Sequence, residues 1–313
     1  MTVRTAEARR ANGPTEEPGR TPERRRKWRR SPYVPWLFLA PALILIFYFK
    51  YLPMAYGLRM SFYEVRGYLG DLYVGGQNYS DIVTDDKFTA AAWHSVVLAV
   101  GTTAGSMFFG LILALLLEGS SRTLWFVRTA AFLPVVTTIA VAAEVWRILY
   151  HPAADGPLNS ILGLIGISPQ PFLADEQSSL LSVMGVGIWR GAPYDMMIFL
   201  AGLAGVDRSL YESSAVDGAN TWHRFRHVTV PALRPVFAIL ITLAAIRGIR
   251  VFTEVFLLTN GAPNGSTEVL MTLIYKLGLQ QGKLGIAAAG SILLFGATVV
   301  LTVAVRALRR REV

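Results

Sequence analysis

Tyr211-Glu212-Ser213-Ser214-Ala215-Val216-Asp217-Gly218-Ala219 is a short polar stretch between two long apolar runs, with Pro231 thirteen residues beyond its glycine. Small side chains occupy positions 213–215. Asp207 and Ser209 can cap a helix starting near residue 208. Glu212 is then expected in its first turn, where the helix dipole favours an acid. Gly218 can end the helix in the left-handed conformation, where a Cβ would be strained. Phe225, Val228 and Val230 follow as apolar positions able to face a membrane core or a partner. The stretch therefore reads as a brief bounded helix set outside the membrane, between spans.

The composition around it is that of a membrane protein. Hydrophobic residues make up 53% of the chain and charged residues only 16%, against about 25% charged in a typical soluble domain. With no cysteine, disulfides, thiol nucleophiles and thiolate metal sites are excluded. His94, His151, His223 and His227 do not fall at ligand spacing with carboxylates, and the pair His223/His227 lacks the glutamate of a zinc-protease helix. A G-x-x-x-x-G-K-[ST] phosphate loop is missing, so nucleotide hydrolysis by this chain is not expected.

A membrane span needs about 20 largely apolar residues. Runs 95–117 and 284–305 satisfy this without an internal charge, and 34–52 does so with Lys50 near its end, where its stem can snorkel. Runs 129–149, 180–206 and 235–258 are long enough but contain charges. Backbone groups in lipid must pair internally, so these six runs are expected to be helices. The first reads as a span rather than a cleaved leader, because a long polar segment precedes it and no small-residue cleavage site follows. Trp36, Tyr48, Trp93 and Tyr150 fall near the expected interfaces and read as belt residues. Gly101, Gly105 and Gly110 read as a small-residue stripe for helix packing.

Positive charge sets the orientation. Arginines crowd residues 4–30; Arg122, Arg128, Arg208, Arg224 and Arg226 lie in alternate loops, and Arg306, Arg309, Arg310 and Arg311 in the tail. The opposite loops hold only Arg59, Arg66, Lys87, Lys276 and Lys283. The positive-inside rule puts both termini and the 207–231 loop in the cytoplasm. It also accounts for the net charge of +9 without a nucleic-acid partner. Residues 1–33 read as a disordered basic cytoplasmic segment, 34–306 as the membrane domain, and 307–313 as a cytoplasmic tail. Loop 150–178 contains an apolar stretch, 161–167, too short to span and suited to an interfacial or re-entrant helix.

The 211–231 stretch resembles the "EAA" loop of permease subunits of binding-protein-dependent ABC importers. Collinear motifs from about 36 to 306 resemble the carbohydrate-uptake class, whose type is the maltose permease. They are Phe38-Leu39-Ala40-Pro41-Ala42, Tyr51-Leu52-Pro53 with Ser61-Phe62, Val74-Gly75-Gly76-Gln77-Asn78-Tyr79, Arg128 with Leu133-Pro134, Gly156-Pro157-Leu158-Asn159, Trp189-Arg190-Gly191-Ala192-Pro193-Tyr194, Thr259-Asn260-Gly261-Ala262-Pro263 and Ile286-Ala287-Ala288-Ala289. The chain departs from the pattern in carrying Ser213 and Ser214 where the loop has alanines, and Ala262 where a second glycine is usual.

The resemblance implies an all-α membrane protein of the type I ABC importer permease fold, with six transmembrane helices and a cytoplasmic coupling helix in the loop 207–231. It implies a bacterial plasma (inner) membrane location and a transport subunit rather than an enzyme. The implied partners are a second, related permease subunit, two ATP-binding subunits that hold ATP and magnesium, an extracytoplasmic substrate-binding protein and a carbohydrate, this chain binding no cofactor itself. Glu212, Ser213, Ser214, Ala215, Asp217 and Gly218 would couple to the ATPase. Arg190, Gly191, Tyr194, Leu243, Arg247 and Arg250 would line the sugar cavity.

The residues themselves point the same way, because an ionisable group inside a span is a functional candidate by default. In a continuous helix, Leu243, Arg247, Arg250 and Glu254 would share one face, as would Gly187, Arg190, Gly191 and Tyr194. Arginine forks and a tyrosine suit sugar hydroxyls or an anionic substituent. Structural alternatives stand beside this: Glu254 neutralising Arg250, Arg190 paired with Asp195, and Glu144 paired with Arg147. A secondary transporter would show two related halves, and a membrane enzyme a convergent catalytic cluster; neither pattern is visible here.

Overall fold

The computed structural model describes residues 33–248 and 251–309. The expected N-terminal segment 1–33 and tail 307–313 thus fall largely outside the described residues. The chain forms two compact units, one ending at Leu52 and one running from Pro53 to Val313. The first holds most of a helix none of whose side chains is buried, and the helix continues past Leu52 into the second unit. This helix, α1, runs Val34–Met60, with Pro41 inside it and a π turn at Phe47–Tyr51.

In the second unit a two-stranded hairpin, β1 (Tyr63–Glu64) and β2 (Leu72–Tyr73), pairs antiparallel with Tyr63 opposite Tyr73. It is pinned by motif residues: Asn78 Nδ2 donates to the carbonyls of Ser61 (2.9 Å) and Tyr63 (3.0 Å), and the hydroxyls of Ser61 and Tyr79 lie 2.7 Å apart. There follow α2 (Gln77–Thr84), α3 (Asp86–Leu116), α4 (Arg122–Ala131), α5 (Ile139–Leu149), α6 (Pro157–Leu164), α7 (Glu176–Ala204), α8 (Arg208–Val216), α9 (Thr221–Ala232), α10 (Arg234–Gly248), α11 (Thr253–Leu258), α12 (Leu270–Tyr275) and α13 (Leu284–Arg309). Side-chain oxygens close the helix starts. Asp85 accepts from Lys87 N at 2.9 Å, Ser121 from Leu124 N at 3.1 Å, and Asp175 from Gln177 N at 3.0 Å. These residues cap because a short acceptor satisfies an amide that the helix leaves free.

Two expected straight spans are broken. The run 129–149 bends by 96° between 122–136 and α5. Leu133-Pro134 begins a single turn, and Thr137 and Thr138 are extended (ψ 136° and 140°). A proline without an amide and two β-branched residues halt the helix there. The run 235–258 is divided too: α10 ends at Gly248, Phe252 is non-helical (φ −135°, ψ −59°), and α11 begins at Thr253. Upstream, α9 and α10 meet at 58° near Pro231. Among the described residues three helices are long and apolar enough to cross a membrane, or up to five if each bent pair is one span. α7 has the length but carries Arg190 and Asp195 along it.

The core rests on the packing of α3 against α7, the most extensive helix contact in the described chain. The glycine stripe makes it possible. A Cβ on Gly101 would sit 2.4 Å from Met184 Cε, and one on Gly105 2.3 Å from Ile188 Cδ1. One on Gly110 would lie 2.9 Å from Ala192 O and 3.1 Å from Met196 N. Apolar side chains close the layers above and below: Leu98, Val183, Val186 and Val255 in one cluster, Met107, Met196, Phe199 and Leu240 in another. Tyr150 belongs to the first cluster, buried against Phe172 and Trp146, so it is a core residue and not a belt residue.

The glycines should differ in tolerance. Met184 Cε is the tip of a flexible side chain and can move; the backbone of α7 cannot. Gly110→Ala should destabilise by about 1–3 kcal/mol, as overpacking does, and Gly101→Ala by much less, read as unfolding midpoints of the purified protein in detergent.

Candidate functional site: a charged cavity and a capped loop

A cavity of about 620 Å³ lies among α3, α7, α10 and α11, with Val135 contributing from the broken segment. Gly187, Arg190, Gly191 and Tyr194 all line it, so the shared face expected on α7 is realised; Leu243 lines it from α10. Gly191 also keeps α3 close, since a Cβ there would meet Ser106 Cβ at 2.9 Å. Arg247 stands on α10 one residue before Gly248; Arg250 lies outside the described residues. Leu243 and Glu254 do not share one continuous helical face, because Phe252, ahead of Glu254, is non-helical.

Glu254 instead reaches α7. Its Oε1 lies 3.2 Å from Arg190 Nη1, with the side chains 26% and 34% exposed. That arginine is 64 positions away; the expected pair of Glu254 with Arg250 involves a residue outside the described ones. Arg190 Nε is buried with no hydrogen-bond partner. Asp195, expected as an alternative partner of Arg190, accepts from Ser106 Oγ at 2.7 Å. The hydroxyls of Thr102, Thr103 and Ser106 complete a polar strip on α3. That strip was missed as a site feature, although Gly101-Thr102-Thr103-Ala104-Gly105-Ser106 is visibly the polar interruption of an apolar run. The cavity offers donors, acceptors and both charge signs within a largely apolar wall, which suits a hydroxyl-rich solute.

The pair Arg190–Glu254 should behave as one unit. Removing one partner leaves a half-buried charge uncompensated, and removing both does not. Arg190→Ala and Glu254→Gln should each lower the unfolding midpoint, and the double variant by less than their sum. The coupling is expected at about 1–2 kcal/mol, within the range for contacting charges.

The second candidate feature is α8. Asp207 accepts from Ser209 N at 2.9 Å, which realises the expected cap. Glu212 is exposed in the second turn, not the first: the helix starts at Arg208 as expected, and its fifth residue lies beyond the 3.6 residues of one turn. Gly218 (φ +79°) ends the helix with bonds Gly218 N to Ala215 O (3.1 Å) and Ala219 N to Ser214 O (2.9 Å), the paired geometry favoured at a left-handed terminus. Ser213 and Ser214 donate to the carbonyls of Leu210 (3.2 Å) and Tyr211 (2.9 Å). Their hydroxyls are therefore spent within the helix, and Ala215 and Asp217 stay exposed beside them. Tyr211 OH meets the buried Thr229 Oγ1 at 3.0 Å and ties α8 to α9. His223 and His227 stack, with ring centroids 5.5 Å apart.

The backbone amide of Ser209 holds the Asp207 carboxyl below the usual carboxylate range. A depressed folded value means the cap's contribution is present above the unfolded carboxylate pKa and is lost as pH falls through the folded one. Amide exchange at Ser209 and Leu210, corrected for intrinsic rates, should stay protected at neutral pH and open on acidification. In Asp207→Asn the protection should be insensitive to pH.

Three comparisons bear on this architecture. Residues 98–312, more than half the chain, match the model of the family described as binding-protein-dependent transport system inner membrane component. The chain is 31% identical over 265 residues to the arabinooligosaccharides transport system permease protein AraP of Bacillus subtilis (strain 168), covering 83% of each chain. It is 27% identical over 267 residues to the trehalose/maltose transport system permease protein MalF of Thermococcus litoralis, covering 85% of this chain and 90% of that one. Its fold matches a chain of the crystal structure of a bacterial ABC transporter that imports the acidic polysaccharide alginate, with TM-score 0.78 and 26% identity over 89% of this chain and 96% of that one. A further structure of the alginate transporter, with its pentasaccharide-bound periplasmic protein, matches with TM-score 0.77. The long helices, the break between α10 and α11 and the short capped loop helix are thus parts of a transport subunit, and the chain belongs to the family of binding-protein-dependent transport system inner membrane components.

Proposed function

We propose that the chain is the permease subunit of an ATP-driven importer for a di- or oligosaccharide or a sugar derivative, and that the cavity around Arg190 and Tyr194 is its half of the translocation path. The cavity carries the reading. Its 620 Å³ accommodates a sugar unit or two, and arginine, carboxylate, tyrosine and hydroxyl groups stand around an apolar wall as sugar recognition requires. AraP, MalF and the alginate importer, all named for carbohydrates, support it.

In this reading the membrane domain, 34–306, has six spans, with α7 and the divided segment α10–α11 completing the count. Both termini and the loop 207–231 are cytoplasmic, as the arginine distribution favours. A second, related permease subunit completes the path. Two ATP-binding subunits hold ATP and magnesium, and an extracytoplasmic binding protein delivers the solute. α8 is the coupling helix. Glu212, exposed on it, faces a basic residue of the ATPase, while Ser213, Ser214, Ala215 and Asp217 form the docked surface and Gly218 turns the chain back. Arg247 and Arg250 join Arg190, Gly191, Tyr194 and Leu243 around the solute.

Uptake by the complete transporter in liposomes, over a panel of mono- and oligosaccharides, tests this. Tyr194→Ala should lower sugar uptake about tenfold, the effect of one lost hydrogen bond and its packing, with assembly unchanged. Glu212→Lys should leave the subunit folded and lose most of the ATPase stimulation. A cysteine at Ser214, the chain having none of its own, should be labelled by an impermeant reagent only from the cytoplasmic side. No sugar-dependent uptake by an assembled transporter, or labelling from outside intact cells, overturns the reading.

A further inference from the structure

The segment Gly156-Pro157-Leu158-Asn159 is built for something other than the cavity. Asn159 is almost fully buried, and its Nδ2 lies within hydrogen-bonding distance of the carbonyls of Pro152 (3.1 Å), Ala153 (3.1 Å) and Gln170 (3.0 Å). Its Oδ1 accepts from Gln170 N at 2.8 Å. Gly156 has no room for a side chain, since a Cβ would lie 2.4 Å from His151 O. Together they fold the turn 151–156 tightly against the end of α5.

Between that turn and α5 lies a separate cleft of about 400 Å³, lined by Glu144, Arg147, Ile148, His151, Asp155 and Pro157 among others. Arg147 Nη1 stands 3.0 Å from Glu144 Oε2, and both side chains are more than half exposed. His151 Nδ1 accepts from Ala153 N at 3.4 Å, which leaves the other ring nitrogen as an outward donor. The charges cannot turn inward, because the other face of α5 is packed: Ala142 and Ala143 are buried, and Trp146 packs tilted against Tyr150 and edge-on against Trp189. The surroundings are apolar and uncovered, with Val141, Val145 and Ile148 exposed on α5 and Ile161, Leu164 and Ile165 exposed on and just after α6.

A cleft with both charge signs, bordered by exposed apolar helix faces, fits one ligand chemistry. We propose that it binds the headgroup of a zwitterionic phospholipid carrying a primary ammonium, that is, phosphatidylethanolamine. Arg147 and His151 take the phosphate, Glu144 and Asp155 take the ammonium, and the acyl chains lie over Ile148, Ile161 and Leu164. The inference rests on the chain being an inner membrane component. An isolated charge pair facing hydrocarbon is costly, whereas the same pair at headgroup depth gains partners of both signs. A polyanionic ligand would meet Glu144 and Asp155, and a sugar would leave the apolar border exposed.

The test is native mass spectrometry of the complete purified transporter, stripped of lipid and titrated with dioleoyl-phosphatidylethanolamine, -phosphatidylcholine or -phosphatidylglycerol. The wild type should retain one phosphatidylethanolamine about tenfold more tightly than the other two, the effect of charge-assisted hydrogen bonds. Arg147→Gln and Glu144→Gln should each abolish that preference at unchanged subunit composition. If either variant fails to assemble, His151→Ala and Asp155→Asn, both on the surface turn, carry the same expectation. Equal retention in wild type and variants overturns the proposal. So does a preference for phosphatidylglycerol that Glu144→Gln leaves intact, which is plain anion binding. Disulfide capture of a cysteine at 144 by a cysteine on another subunit also overturns it, because the face is then a protein interface. Sugar uptake, measured in parallel, reports on the permease reading separately.

Discussion

The close approach of α3 and α7 is the constraint on which the rest of the molecule depends. Two long helices in a membrane cannot draw together by expelling water, so they need surfaces that let backbones meet. Gly101, Gly105 and Gly110 on one helix and Gly187 and Gly191 on the other provide them. Because the backbones are near, Ser106 reaches Asp195, and the polar groups of both helices open toward the same space. A bulkier residue at Gly110, which faces the backbone of α7, would push the helices apart and disturb the cavity wall before any functional side chain was touched.

The charges inside the second unit follow from that arrangement. Arg190 and Glu254 come from segments far apart in the chain and meet because α7 and α11 both face the cavity. A second ion pair, Lys276 with Glu268, holds the loop beyond α11, where Lys276 also donates to Asn260 O at 2.8 Å. Thr259 and Thr267 close the same loop through hydroxyls 2.7 Å apart.

This marks how far the sequence could be read. The cap at Asp207, the left-handed end at Gly218, the packing role of the glycine stripe and the shared face of α7 were all legible, because each depends on residues within one or two turns. The bond from Glu254 to Arg190 was not, since it depends on the non-helical Phe252 just before Glu254, and the residues around it read as continuous apolar helix. Glu212 falls in the second turn although the helix starts where expected, because it is the fifth residue of that helix and a turn takes 3.6. Pro134 and the two threonines after it carried a signal for the 96° bend, but an apolar run gives no hint of direction. The serines at 213 and 214 looked like departures, and the structure shows why they change little: their hydroxyls are satisfied by their own helix.

Both breaks border the cavity, Val135 at one and Gly248 and Val251 at the other. A helix that stops leaves carbonyls and amides near its end without partners inside the helix, and such irregular backbone is tolerated at membrane depth only beside protein or a water-filled space. In the proposed reading of this cavity as the solute's path, part of what the solute meets is therefore main chain. That part cannot be deleted by exchanging side chains, so substitution scans of the cavity have a floor, and a lineage can retune it only by moving the point at which a helix ends.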